Sequence, residues 1–296
     1  MNRTEPAGDR VRRSLNMPWK GEFRHPTLVM GIVNVTPDSF QSVGRHNRPM
    51  DAVEHGLSLF ADGADILDVG GESSRPGAPI VPVEEELERV IPVVQGLAER
   101  SSVPISVDTR KSEVAEAAIR AGARIINDVS AGRFDAHMFR VVAESDAFIC
   151  LMHGPLDTTA MQWSTAEVRR GADIAASVAG FLSARAEAAV SGGIDEDRIW
   201  VDPGFGFGKT VGDNLRLIRD LNLITCLPWP VMVGTSRKST LGAVLNGAAP
   251  EDRLEATLAT VALAIRSGAA IVRVHDVAAA VRTARTADAI VHCGQP

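Results

Sequence analysis

Short apolar runs recur along the chain, and each stops at a polar residue or just before one. Eight of these runs are long enough to form strands. They span residues 28–34, 65–69, 104–108, 124–127, 147–152, 197–202, 230–234 and 270–274. Most are continuous rather than alternating, which is typical of strands that are buried on both faces. The pattern therefore predicts a parallel sheet covered by helices.

Helical patterns separate the apolar runs. The predicted helices span 51–62, 83–99, 112–121, 135–144, 165–190, 212–222, 253–267 and 276–290, and another begins near Lys238. Pro92 is expected to kink or divide the second helix. Eight β/α units suffice to close a barrel, whereas a doubly wound open sheet usually has fewer strands. The expected fold class is α/β: a single (β/α)8 TIM barrel over residues 27–292, preceded by a short irregular extension over 1–26.

Composition and charge narrow the class of protein. The 296 residues are 45% hydrophobic and 23% charged, as in an ordinary globular protein. The net charge of −6, without a dense basic stretch, argues against a nucleic-acid partner. No apolar run approaches the roughly 20 residues of a membrane span, and residues 1–24 lack the apolar core of a signal peptide. We therefore expect a cytoplasmic protein without a membrane partner.

Polar side chains end several of the predicted strands. Asn34, Asp108, Asn127 and Asp202 each follow an apolar run. Any one of them could be a turn former or a cap of the next helix. The carboxyl ends of barrel strands share one rim, however, and several polar residues arriving there together indicate a polar ligand pocket. Paired carboxylate oxygens suit the N–H groups of an amino-pyrimidinone ring, as they suit guanidinium.

Three further segments lie at or just after the ends of strands 6, 7 and 8. The segment 202–209 is rich in Gly but lacks the Walker spacing, and Phe207 in it is available to cover an aromatic ligand. Lys238 lies at a helix start, where its charge opposes the helix dipole. Such a local conflict often marks a functional position, and Lys238 is suited to an anion or an electron-rich ring. Arg273 and His275 share one face of strand 8, where barrels often bind phosphate, although a lone His is more often structural.

These segments together resemble the dihydropteroate synthase family, whose members join dihydropterin pyrophosphate to p-aminobenzoate. The resemblance covers nearly the whole chain and runs in order from about 28 to 290. The matching segments are 30–40, 68–77, 106–108, 126–128, 202–206, 236–239 and 273–276. After Phe40, where the family commonly has Ser-Asp-Gly-Gly, this chain has Gln41-Ser42-Val43-Gly44; and Ser74 stands where the family commonly has Thr.

The resemblance implies a role for each matched residue. The implied pterin pocket contains Asp108, Asn127, Met152, Asp202, Phe207 and Lys238. The implied pyrophosphate site contains Asn34, Arg75, Arg273 and His275, with Asn34 as a ligand of Mg²⁺. The implied p-aminobenzoate site contains Phe40, Ser74, Arg75, Pro76, Lys238 and Ser239. The residues expected to act in catalysis are Asp108, Asp202, Lys238, Arg273 and His275.

The resemblance also implies an SN1-like reaction, a cofactor and an assembly. Mg²⁺ and the cationic residues would neutralise the leaving pyrophosphate, the two Asp carboxylates would stabilise the pterin methylene cation, and the arylamine would attack it. A homodimer is expected. Two alternatives stay open: a methyltetrahydrofolate-dependent methyltransferase, which would use the same Asp and Asn positions with a corrinoid partner, and a pterin-binding paralogue without turnover.

Overall fold

The fold is the expected (β/α)8 barrel. The structure, a computed structural model, describes residues 7–15, 26–35, 48–73, 78–156 and 173–293. The strands are β1 Leu28–Asn34, β2 Ile66–Gly70, β3 Ile105–Asp108, β4 Ile125–Asp128, β5 Phe148–Met152, β6 Ile199–Asp202, β7 Met232–Val233 and β8 Ile271–Val274. The helices are α1 Ala7–Ser14, α2 Arg48–Ala61, α3 Val83–Arg100, α4 Ser112–Arg120, α5 Met138–Ala143, α6 Ile174–Ser191, α7 Val211–Arg219, α8 Asn222–Thr225, α9 Ser239–Val244, α10 Leu254–Arg266 and α11 Val277–Val291.

The strands pair in parallel around the barrel, each with the next along the chain. The hydrogen-bonded order is β6-β5-β4-β3-β2-β1-β8-β7. A parallel bridge between Val201 and Val231 joins the two ends of this order, and the Val201 N–H donates to the Pro230 carbonyl at 3.0 Å. β7 is shorter than predicted, since Pro230 has no N–H to offer a neighbouring strand. All strand carboxyl ends therefore open onto one rim.

Side chains point alternately to the two faces of each strand, and they therefore form two separate apolar cores. Side chains such as Val29, Val33 and Leu67 pack outward against the helices in the larger core. Their neighbours Leu28, Met30 and Ile66 fill the amino-terminal half of the barrel interior, together with Trp200. Further along the same inward-facing positions the residues become polar, as at Asp68 after Ile66 and at Arg273 after Ile271. The barrel is thus apolar at its amino end and polar at its carboxyl end.

The N-terminal extension was expected to be irregular, but part of it is helical. Residues 7–14 form α1, which packs Val11 and Leu15 into the inner core at the amino end of the barrel. Arg12 is buried with Asp65, and their closest N–O distance is 3.3 Å. The other Asp65 oxygen accepts from the Val29 N–H at 3.0 Å. The expectation was wrong for these residues because the buried face of this charged stretch combines only two apolar side chains with the buried Asp9 and Arg12.

Three helices differ from the prediction: one is continuous, one is divided and one begins later. α3 runs through Pro92 without division, because Pro92 is exposed and water can replace the backbone hydrogen bond it removes. The predicted helix 212–222 ends at Arg219, and a separate short helix follows. α5 begins later than predicted because the Asp135 side chain binds the backbone N–H groups of Ser112 and His137. No helix in the described ranges has the length and apolar character needed to cross a bilayer.

Candidate active site

The centre of the polar rim is an arginine held between two carboxylates. Arg273 on β8 donates from Nε to Asp68 Oδ2 at 2.6 Å and from Nη2 to Asp108 Oδ2 at 3.0 Å. Asn127 on β4 donates from Nδ2 to the same Asp68 oxygen at 3.1 Å. Asp68 is fully buried, and its Oδ1 has no hydrogen-bond partner among the described residues. Residues of four strands, β2, β3, β4 and β8, thus meet in one hydrogen-bonded ion-pair network.

Burial has the largest effect on the pKa of Asp108. It raises the pKa of Asp108 from 3.8 to about 7, while the charge of Arg273 opposes the rise and that of Asp68 adds to it. A carboxyl group with a pKa in this range changes its charge near neutral pH. Perturbed groups of this kind are concentrated at functional sites, although structural ion pairs produce them too.

The segment after β6 turns sharply and fixes the side chain of Asp202, the last residue of β6. Gly204 has a φ of +66°, and a Cβ added there would lie 1.8 Å from the His153 carbonyl oxygen, so only glycine fits. The Gly204 N–H donates to Asp202 Oδ1 at 2.7 Å. Burial raises the pKa of Asp202 from 3.8 to about 6, although this hydrogen bond opposes the shift. The glycine at 204 therefore shapes the turn that fixes the Asp202 carboxylate.

The Lys209 ammonium group stabilises the same turn through three hydrogen bonds. Its Nζ donates to the carbonyls of Gly204 at 2.7 Å, Phe207 at 3.2 Å and His153 at 3.2 Å. The lysine is buried, and burial lowers its pKa from 10.5 to about 7. It joins the end of β5 to the segment after β6, the two places from which apolar walls of the pocket arise.

An apolar wall faces the carboxylates. Met152 and Phe207 form a small buried cluster with Val129 packed against it. Lys238, the residue before α9, places its Nζ 4.0 Å from the centre of the Phe207 ring, in a cation–π contact. Burial lowers the pKa of Lys238 from 10.5 to about 8, and the charge of Arg273 contributes to the shift. Lys238 therefore lies close both to the aromatic wall and to the acceptor oxygens of Asp108 and Asp202.

A second group of donors lies beyond Arg273 on the rim. His275 Nδ1 lies 3.0 Å from Ser236 Oγ, and the His275 backbone N–H donates to the same oxygen at 3.2 Å. Burial lowers the pKa of His275 from 6.5 to about 3, and the charges of Arg273 and Arg237 contribute. The imidazole is thus neutral, and a Ser236 hydroxyl that donates to Nδ1 leaves the proton on Nε2, where it can bind an anion. Asn34 ends β1, half-buried on the rim.

The loop that follows β2 is anchored at both of its ends. Glu72 accepts from the Val81 backbone N–H at 3.0 Å, which joins the loop's entry to its exit. The same carboxylate binds Arg110 at 2.7 Å and Lys111 at 2.6 Å. Phe40, Ser74, Arg75 and Pro76, predicted to bind p-aminobenzoate or pyrophosphate, lie outside the described residues. Ser239 is the first residue of α9.

Sequence reasoning missed three residues of this site. Asp68 is detectable as a charge inside the apolar run of β2, although the prediction rested on residues that end strands. Ser236 lies in a segment that was singled out for its lysine. Lys209 ends the Gly-rich segment 202–209, whose spacing excludes a Walker loop and indicates no other role for the lysine. In the described ranges, no cluster of three or more His, Cys, Asp or Glu residues could hold a metal ion.

Known proteins resemble this chain over most of its length. A family described as "Pterin binding enzyme" matches residues 30–275. The dihydropteroate synthase of Bacillus subtilis (strain 168) is 43% identical over 272 residues, which are 92% of this chain and 91% of that protein.

Solved structures agree with this match. The Xanthomonas albilineans dihydropteroate synthase with 4-aminobenzoic acid is 46% identical, with a TM-score of 0.83, and covers 89% of this chain and 93% of its own. The same organism's enzyme in complex with 7,8-dihydropteroate is 44% identical, with a TM-score of 0.79 and the same two coverages.

Proposed function

This chain belongs to the pterin binding enzyme family, and we propose that its barrel rim carries out the dihydropteroate synthase reaction at the residues described above. The chain is a transferase of folate biosynthesis. It condenses 6-hydroxymethyl-7,8-dihydropterin pyrophosphate with p-aminobenzoate to give 7,8-dihydropteroate and pyrophosphate. The methyltransferase alternative does not hold, since the relatives that match most of the chain are synthases.

One observation carries the assignment of the site: Lys238 lies over the Phe207 ring and interacts electrostatically with the Asp108 and Asp202 carboxylates. Asp108 and Asp202 supply the acceptors, and Phe207 with Met152 supplies the wall. A pterin ring presents N–H donors along one edge and two apolar faces, so this space matches its chemistry. Asn127 adds an amide that both donates and accepts. We assign the pterin ring to this space, with Lys238 covering it.

The pyrophosphate is assigned to the neighbouring donors. Arg273 supplies a permanent charge, and His275 supplies a neutral N–H. Charge that develops on the leaving oxygen is stabilised by donors that are already in place, which lowers the barrier to C–O cleavage. Arg75, outside the described residues, is proposed to join them.

The dihydropteroate synthase family uses a divalent metal ion, and we propose Mg²⁺ held by Asn34. An amide oxygen is a hard ligand that suits Mg²⁺, and Mg²⁺ usually keeps only one or two protein ligands beside substrate phosphates and water. The absence of a larger ligand cluster in the described ranges fits that mode. When bound, the ion would neutralise charge on the leaving group.

The chemical step follows from these placements. The C–O bond between the pterin methylene and pyrophosphate breaks, and the oxygen keeps the electron pair. The Asp108 and Asp202 carboxylates stabilise the cation that remains. The nitrogen of p-aminobenzoate then forms the new C–N bond and loses a proton. We assign p-aminobenzoate to Phe40, Ser74, Arg75 and Pro76, with Lys238 and Ser239 closing the site from the other side.

One assay tests the assignment. Purified protein is mixed with dihydropterin pyrophosphate, p-aminobenzoate and Mg²⁺, and pyrophosphate release is followed. Release that depends on both substrates and is lost in the Asp202→Asn variant supports the site. Substrate binding without release at any concentration would instead indicate a paralogue that lacks turnover. A titration with Mg²⁺ in the wild type and in Asn34→Ala tests the metal ligand, because the variant should need more Mg²⁺ for half-maximal rate.

The assembly, the location and the domain limits are also proposals. We propose a homodimer, which light scattering tests through the mass in solution. We propose the cytoplasm as its location, because both substrates are small and water-soluble; cell fractionation tests it. The catalytic unit is proposed to span 27–292, the range that limited proteolysis should leave intact.

A further inference from the structure

Arg237 has a backbone conformation that its side chain disfavours. Its φ is +58°, a region that L-residues other than Gly, Asn and Asp rarely adopt. The Lys238 N–H donates to the Thr235 carbonyl at 3.2 Å, so Arg237 occupies the third position of a four-residue turn. With φ positive at that position alone, the turn resembles type II, where glycine is usual. An arginine here must be held by other contacts.

Four contacts hold Arg237 in place. Its guanidinium binds the Asp276 carboxylate through two parallel hydrogen bonds, from Nε at 3.0 Å and from Nη2 at 2.6 Å. Its backbone N–H donates to Thr257 Oγ1 at 3.1 Å, and its carbonyl accepts from Arg253 Nη1 at 2.8 Å. The turn is thereby fixed to α10 and to the end of β8.

The neighbours of Arg237 and Asp276 belong to two different pockets. Lys238 points to Phe207 in the proposed pterin pocket. Ser236 binds His275 in the proposed pyrophosphate site, and Asp276 directly follows His275. One substrate carries both the ring and the pyrophosphate, so the two pockets must keep a fixed separation to bind it whole.

We propose that Arg237 and Asp276 are positioning residues that set the spacing between the pterin pocket and the pyrophosphate site. They need not touch substrate. They hold the Ser236–Lys238 turn against the end of β8, and so hold Lys238 and His275 in register with each other. The inference rests on the proposed function, because the two pockets are assigned there.

Binding of the whole substrate and of its two halves tests the proposal. Calorimetry with Mg²⁺ measures Kd for dihydropterin pyrophosphate, for 6-hydroxymethylpterin alone and for inorganic pyrophosphate alone. In Arg237→Ala and Asp276→Asn we expect Kd for the whole substrate to rise tenfold or more, while Kd for each half changes less than threefold. A spacing defect affects only a ligand that engages both pockets at once.

Two further variants separate this role from mere stabilisation. Arg237→Gly accepts a φ of +58° without strain and should fold even if Arg237→Ala does not. It should lose whole-substrate affinity to the same degree. Arg219→Ala is the matched control, because Arg219 makes a similar two-point pair with Asp220 at 2.8 and 2.6 Å on an exposed surface. It should bind all three ligands as the wild type does.

The proposal is overturned if folded Arg237→Gly binds the whole substrate within twofold of the wild type. It is equally overturned if both halves lose as much affinity as the whole. Failure of the proposed function looks different: the wild type itself would then neither bind dihydropterin pyrophosphate nor release pyrophosphate in the presence of p-aminobenzoate.

Discussion

Arg273 Nε lies 2.6 Å from the oxygen of a carboxylate, Asp68, that is wholly buried within the barrel. A second carboxylate, Asp108, binds the same guanidinium. The arginine proposed to meet pyrophosphate is therefore oriented by two neighbours within the protein itself. Its role in binding substrate and its role in balancing buried charge cannot be separated.

We expect Arg273→Ala to impair both roles. Turnover should fall on the order of 10²-fold or more, because a charged donor to the leaving group is lost. The free energy of unfolding should fall by about 3 kcal/mol, because two buried carboxylates lose their counter-ion. The barrel should still fold, since domains typically have 5–15 kcal/mol of stability. Steady-state kinetics and urea unfolding measure the two effects.

Arg140→Ala is the control for this change. Arg140 pairs with Glu144 at 2.9 Å on the surface of α5, and exposed pairs of this kind contribute about 0–1 kcal/mol. Normal turnover of Arg273→Ala with an unchanged unfolding curve would contradict the assignment.

Lys238→Ala should impair turnover without comparable loss of stability. The ammonium group lies over Phe207 and near two carboxylates, and its lowered pKa shows that burial disfavours its charge. Removing the side chain also removes the cost of burying its charge, so the free energy of unfolding should change by less than about 1 kcal/mol. The rate should fall roughly 10²-fold, because a positioned cation at the proposed pterin pocket is lost. Full activity in a variant with an unchanged melting temperature would exclude Lys238 from the site.

Asp108→Asn should change the pH dependence of stability. The pKa of Asp108 is raised from 3.8 to about 7, so the folded state favours its protonated form. Its contribution to stability is fully present below about pH 4 and is lost as the pH rises through 7. Within that window the wild type should lose up to about 1.4 kcal/mol per pH unit from this group, and the variant should not. Urea unfolding between pH 4.5 and 8 compares the slopes; parallel curves would contradict the raised pKa.

Lys209→Met should weaken pterin binding selectively. Three carbonyls in and beside the segment after β6 lose their shared donor, and an unsatisfied buried acceptor costs about 1–3 kcal/mol. Phe207 lies on that segment and Asp202 is bound by its first turn, whereas Arg273 and His275 lie at the end of β8. Calorimetry should therefore show about tenfold weaker binding of 6-hydroxymethylpterin and unchanged binding of pyrophosphate. Equal losses for both ligands would mean that Lys209 supports the whole rim.

The sequence predicted the barrel because its strands are buried on both faces, and that burial requires continuous apolar runs. β1 and β8 were located within a residue for this reason. It also placed Asp108 and Asp202 at strand ends, where the structure finds them, and Asn127 lies one residue before the end of β4. Spacing alone could not show that Asp68 binds Arg273, since 205 positions separate the two residues along the chain.

Predictions from local sequence failed where tertiary contacts determine the backbone conformation. No propensity predicts a left-handed arginine at 237, because the conformation exists only when Asp276, Thr257 and Arg253 are assembled around it. The helix α1 was missed for a related reason. Its buried face combines Val11 and the adjoining Leu15 with two charged residues, Asp9 and Arg12, and the burial of Arg12 becomes favourable only beside Asp65.

The position of α1 also bears on the order in which the protein can be assembled during translation. This helix leaves the ribosome before any strand exists, yet its inner-core neighbours include Met232 and Ile271, from the last two strands to be made. Gly8 lies so close to the Pro26 carbonyl that an added Cβ would be 2.1 Å from its oxygen, and 3.4 Å from that of Ala270. Although α1 precedes all eight strands, it must therefore wait for β7 and β8 before it can dock.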